Sequence, residues 1–263
     1  MGRITAHLLA RFRAWDRPAQ IALVIALLLI VLVLVVGRLG PDDLREPALI
    51  GLLGLLIAVQ VIVLWANRGM VTPYTQAQRH YLAGDFEAAC AVLEKVRQAG
   101  KADFRALALL GNAYRQQNRL DDSITVLEAA IAAQPNHHFP LYGFGRTLLI
   151  QGHYAEAADA FDRALEAGAP PVAHLDAAEA YFRLGNAVAA REQLLAADSD
   201  EPHRQLLRAY LLHRLDTGDP PDEALIQAGL PYWEANAARY ADTPYGAALA
   251  ADVRWLQARL EEI

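Results

Sequence analysis

The chain has 263 residues, 54% of them hydrophobic, and a formal net charge of −6. Before Asn67 six Arg face four acids, a balance of +2 that leaves −8 for the remainder. So acidic a remainder argues against nucleic acid as a ligand, because phosphate contacts need Lys and Arg. A single cysteine, Cys90, excludes an intrachain disulfide and a thiolate metal cluster.

Residues 1–17 carry Arg3, Arg11, Arg13 and Arg17, with Ile4, Leu8, Leu9, Phe12 and Trp15 on one helical face. The pattern suits a basic amphipathic flank on anionic headgroups; an ordinary charged flank reads the same way. Residues 18–37 and 47–67 are two uncharged apolar runs. Twenty helical residues rise about 30 Å, the thickness of the hydrocarbon core. Gly40-Pro41 breaks the helix, and the short link of residues 38–46 forces an antiparallel hairpin. Ala22/Ala26 and Gly54/Ala58 have the spacing that lets spans approach closely. Gln60 is the strongly polar side chain inside a span, placed to bond across the hairpin or to a partner span. The N-terminal Arg residues predict both chain ends on the cytoplasmic side of an inner (plasma) membrane crossed twice.

From residue 75 the pattern becomes short amphipathic helices. Gly111, Gly145 and Ala178 are spaced 34 and 33 apart, as are Leu127, Phe161 and Leu194. Ala89, Ser123, Ala157 and Ala190 follow at 34, 34 and 33. Tyr114 and Tyr181 share one register, two repeats apart. A period of this length carried by several residue classes marks stacked helical pairs. Small residues at each crossing admit the neighbouring helix, and the large residue of the second helix plugs the groove.

The segments LLGNAYRQQNRLDDSITVLEAAIAAQP (109–135) and GFGRTLLIQGHYAEAADAFDRALEAGAPP (143–171) resemble tetratricopeptide repeats. So does DAAEAYFRLGNAVAAREQLLAA (176–197), with a poorer copy at 80–96. The resemblance implies a tetratricopeptide α-solenoid (75–200), which with the two-helix transmembrane hairpin (18–67) read from the apolar runs makes an all-α chain. Four repeats are expected at about 75–103, 104–137, 138–170 and 171–200. Residues 201–263 read as a degenerate repeat and capping helices that close the solenoid's open end, with Tyr232, Trp233, Leu249, Val253 and Leu256 buried on the last repeat.

No nucleotide, zinc-protease, serine-hydrolase or CxxC motif occurs, so a non-enzyme without cofactor or metal is expected. His137, His138 and His153 lack a further ligand. Cys90 sits among alanines as a small core residue. Stacking of first helices gives a concave face, and helical phase places Arg105, Asn112, Arg115, Tyr142, Arg146, Phe182 and Arg183 along it. Arg with aromatics favours protein partners, here an acidic segment. Residues 68–74 reach at most about 25 Å, which holds this face near the bilayer and favours the tail of another membrane protein. Replacing Arg115, Tyr142 and Arg146 by Ala is expected to leave helicity and melting unchanged. The leading reading is a membrane-anchored interaction scaffold or assembly factor. A structural subunit held by its hairpin is the alternative. A third looks like the tetratricopeptide proteins of cytochrome c maturation, which place their repeats outside and have a longer loop between spans.

Overall fold

The computed structural model describes residues 17–67 and 72–262, so the expected amphipathic flank, apart from Arg17, lies outside the described residues. The described helices divide into two compact units, residues 1–72 and 73–263.

In the first unit, α1 (Arg17–Leu39) and α2 (Arg45–Asn67) pack as a hairpin. Gly40 ends α1: its N–H bonds Val36 O at 2.8 Å, and a Cβ on it would lie 2.4 Å from that same oxygen. A 3₁₀ turn, Asp42–Leu44, then leads into α2. Both helices are long and apolar enough to cross a bilayer, and almost none of either is buried within the molecule. The helices approach at Gly37, where an added Cβ would sit 3.2 Å from Ala48 Cβ. Of the first small pair, Ala26 is buried and Ala22 partly so. Gly54 is not in the seam, since nothing lies within 4 Å of an added Cβ. Gln60 is exposed.

The second unit is helical throughout. Repeat 1 is α3 (Pro73–Leu82) with α4 (Phe86–Gln98), and repeat 2 is α5 (Phe104–Gln116) with α6 (Leu120–Ala133). Repeat 3 is α7 (His138–Gln151) with α8 (Tyr154–Glu166), and repeat 4 is α9 (Ala173–Leu184) with α10 (Ala187–Ala196). Asp85 and Asp103 cap α4 and α5 by accepting the amides of Ala88 and Ala106 at 3.1 and 2.8 Å, satisfying orphan donors of the first turn. The period has a steric basis. A Cβ on Gly111 would lie 2.5 Å from Leu127, and one on Gly145 2.9 Å from Phe161, so each plug fills space that only glycine leaves. In repeat 4, Ala178 and Leu194 share the same core. Tyr114 and Tyr181 also play one role twice: the hydroxyl of each donates to a carboxylate of the preceding second helix, Glu94 and Asp162.

Three helices follow: α11 (Pro202–Arg214), α12 (Glu223–Arg239) and α13 (Pro244–Glu262). The first helices α3, α5, α7, α9 and α11 contact one another in sequence and form the inner row. Trp233, Leu249, Val253 and Leu256 are buried with Leu206, Tyr210 and Ile226, while Tyr232 is exposed. Tyr232 was expected to be buried with Trp233 and is not, because its ring lies on the rim, stacked against His203. A further difference is that α13 also turns back and packs on α7, across the inner face of the repeats.

Candidate functional site

The inner row carries the expected residues in register, but the C-terminal helices cover most of them. Arg105 is exposed, its guanidinium 5.5 Å from the centroid of the Phe104 ring. Asn112 and Arg115 were expected on an open face; they are 7% and 6% exposed. Arg115 Nη1 donates to Asn112 Oδ1 at 2.6 Å and to Gly143 O at 3.2 Å. Above it lies the turn between α12 and α13. The Tyr240 hydroxyl donates to Arg115 O at 3.5 Å, and Arg239 donates to the Gln116 side chain.

In repeat 3, Tyr142 and Arg146 converge on one carboxylate of repeat 4. The Tyr142 hydroxyl reaches Asp176 Oδ2 at 2.5 Å and Arg146 Nη1 reaches Oδ1 at 2.5 Å. Arg204 of α11 adds Nη1 at 3.1 Å to Asp176 and closes on the exposed Glu201 through Nε at 2.9 Å. Arg183 pairs with Glu179 at 3.3 Å, one turn back, and with Asp252 of α13. Asp252 also accepts from the Tyr210 hydroxyl at 2.6 Å. Phe182 is half-buried against the C-terminal core. Tyr245 of α13 donates to Glu179 Oε2 at 3.5 Å. A narrow cavity between Arg146, Asp176, Glu179, Tyr232, Tyr240 and Tyr245 is what remains of the groove here.

These groups perturb one another. Burial pushes the Asp176 carboxyl up, but the charges of Arg146 and Arg204 with the Tyr142 hydrogen bond outweigh it, so its pKa falls below the ordinary value. For Glu179 burial dominates over Arg183 and the pKa rises. Burial opposes the charge of Arg183, yet Glu179 and Asp252 more than offset it and hold the cation.

Elsewhere, Cys90 is buried and its thiol is pushed up to about 11 by desolvation. His137 Nδ1 accepts the Phe139 amide at 3.1 Å as the cap of α7. Among the described residues no group of three or more His, Cys, Asp or Glu is placed to hold a metal ion.

The inner row of small-residue crossings, each plugged at one period, is what decides the family. Tetratricopeptide-repeat family models match residues 80–142 and 142–220, together more than half of the chain. The chain belongs to the tetratricopeptide-repeat family. A thermophilic tetratricopeptide-repeat protein of Thermus thermophilus, TTC0263, superposes with a TM-score of 0.50 at 16% identity, covering 71% of this chain and 97% of that one. A MamA structure, MamA MSR-1 C2, gives 0.47 at 22%, over 56% and 87%. At 16% identity the likeness to TTC0263 is one of fold alone. No curated protein matches the chain significantly.

Asp176, Arg204, Tyr240, Tyr245 and Asp252 complete the site and escaped the sequence reading. Asp176 lay inside a recognised repeat and was legible in principle as an inward-facing acid. The others follow residue 198, where the period ends and no register assigns them a face.

Proposed function

We propose that the chain is a membrane-anchored protein-interaction scaffold: α1 and α2 span the inner membrane, and the repeats bind a segment of a partner protein on the cytoplasmic side. Support for the anchor is the exposure of both apolar helices. A core helix of a soluble protein would be buried, and a cleaved signal would account for α1 but not α2. The orientation rests on the Arg-rich N-terminal flank.

The observation that carries the binding role is the uncovered half of the inner row. Repeat register makes Gln78, Tyr81 and Leu82 of α3 the counterparts of Asn112, Arg115 and Gln116 of α5. The C-terminal part contacts Arg115 and Gln116 of α5, whereas Gln78, Leu82 and Arg105 are exposed, with Leu82 at 78%. Leu82 and Arg105 lie near opposite ends of this uncovered stretch, and Arg is a residue type that binding hot spots favour. Leu82→Glu with Arg105→Glu in the full chain should abolish partner capture by crosslinking in membranes while helicity is retained. Undiminished capture of every wild-type partner by that variant would sink this face as the docking surface.

A second reading, that the hairpin itself packs into a membrane complex, draws on the open space at Gly51 and Gly54 and on the exposed Gln60. Loss of co-purifying membrane proteins in Gln60→Leu would favour it over docking through the repeats.

A further inference from the structure

The inner face of repeats 2–4 is already occupied, and its occupant is the chain's own C-terminus. Three features of that occupancy point beyond a static cap. The first is reach: α13 passes over α9 to pack on α7, and the turn before it touches Arg115 and Gln116 at the end of α5. The second is charge. Three guanidinium groups, on Arg146, Arg183 and Arg204, pair with the buried carboxylates of Asp176, Glu179 and Asp252 and with the exposed Glu201. Arg115 is bonded to neutral oxygens alone, although a buried cation gains most from an ionised partner. The third is incomplete satisfaction. The Nε atoms of Arg146 and Arg183 are buried with no acceptor, as are those of Arg191 and Arg259 elsewhere, a state that burial penalises.

We propose that α13 and the turn before it are a cis occupant of a helix-binding groove. Its trans ligand is an amphipathic helix with more carboxylates than α13 offers, which displaces α13. This rests on the scaffold reading and names the partner class. The incoming helix supplies apolar residues where Leu249, Val253 and Leu256 now pack, an acid in place of Asp252, and a further acid for the Arg115 guanidinium. Tethering gives α13 an effective concentration on the order of millimolar, so a poorer ligand is excluded. The groove is thereby selective before any partner arrives.

The probe is a fluorescein-labelled peptide of residues 240–262, titrated against the full chain in detergent micelles. Arg239→Ala with Tyr240→Ala removes the contacts to Gln116 and Arg115 and opens the groove. Gln116→Cys with Arg239→Cys in a Cys90→Ala background, joined by a short bis-maleimide, closes it. The peptide should bind the opened chain at least tenfold more tightly than wild type and should not bind the crosslinked chain. Its Asp252→Lys version should bind the opened chain more weakly. Equal binding to crosslinked and opened chains overturns the proposal, as does no binding to an opened chain of unchanged helicity. Hydrogen exchange supplies a readout without ligand: amides of 244–262 in wild type should exchange by a local opening, and exchange only on unfolding of the repeats also overturns it. None of these outcomes bears on docking at Leu82 and Arg105, which the capture experiment tests separately.

Discussion

Asp176 is the residue on which three others depend. Tyr142, Arg146 and Arg204 all place a donor on its carboxylate, and the side chain is almost wholly buried. Removing one partner of a buried pair leaves an uncompensated charge, at a cost of roughly 3–5 kcal/mol. Asp176→Ala should therefore shift the urea midpoint strongly downward when unfolding is followed by tryptophan fluorescence. The same geometry corrects the expectation for the Arg115, Tyr142 and Arg146 triple Ala variant. It strips Asp176 of two of its three donors and will lower stability, so it cannot isolate binding. His203 offers a gentler test. Its ring stacks on Tyr232 with centroids 3.8 Å apart, and its carbonyl accepts from Trp233 Nε1 at 3.1 Å. Burial, followed by the Arg204 charge, lowers its pKa from 6.5. A depressed folded pKa means its stability contribution is full above the unfolded value and is lost as pH falls through the folded one. Stability should decline on acidification below about pH 6.5, and His203→Phe should remove that part of the decline. The buried Glu179, with a raised pKa, works in the opposite direction, so the comparison between wild type and variant isolates the histidine.

At the scale of elements, the repeats follow from glycine and plug. Gly145→Leu places a branched side chain where Phe161 stands 2.9 Å away and should cost roughly 1–3 kcal/mol or more; an unchanged urea midpoint would contradict the packing. The turn into α13 is tighter. A Cβ on Gly246 would sit 1.8 Å from Tyr240 O, a backbone atom that cannot rotate aside. Gly246→Ala should loosen that turn selectively, read as faster hydrogen exchange in 240–262 with repeats 1 and 2 unaffected. Gly152 complements it, with φ +84° at the end of α7 and Pro244 packed where its Cβ would be. These elements divide what sequence can disclose from what it cannot. Gly111 with Leu127 and Gly145 with Phe161 were legible because a fixed period ties each pair. Helical phase likewise named Asn112, Arg115, Tyr142, Arg146 and Arg183 as inward-facing. Phase says which way a side chain points, not what lies opposite. Arg183 meets Asp252 across 69 positions and Arg115 meets Tyr240 across 125, and no repeat relates those pairs.

For the whole molecule, the proposed anchoring makes a topological prediction. A cysteine introduced at Asp43, in a Cys90→Ala background, should react with an impermeant maleimide in intact cells, and one introduced at Glu262 should react only after lysis. Labelling of position 262 in sealed cells would place the repeats outside and revive the likeness to cytochrome c maturation proteins.

The contact between Tyr240 and Arg115 also has a consequence in time. During synthesis repeats 1 to 4 leave the ribosome before residue 240 exists, and domains fold as they emerge at about 5–20 residues per second. Closing a loop of more than a hundred residues is slow beside the local pairing of neighbouring helices. For some seconds, then, every nascent chain displays the arginine-lined groove bare. A ligand held at the site of translation could be loaded in that interval without competing against α13, and a chain released early by a stop codon before residue 240 would remain in that receptive state.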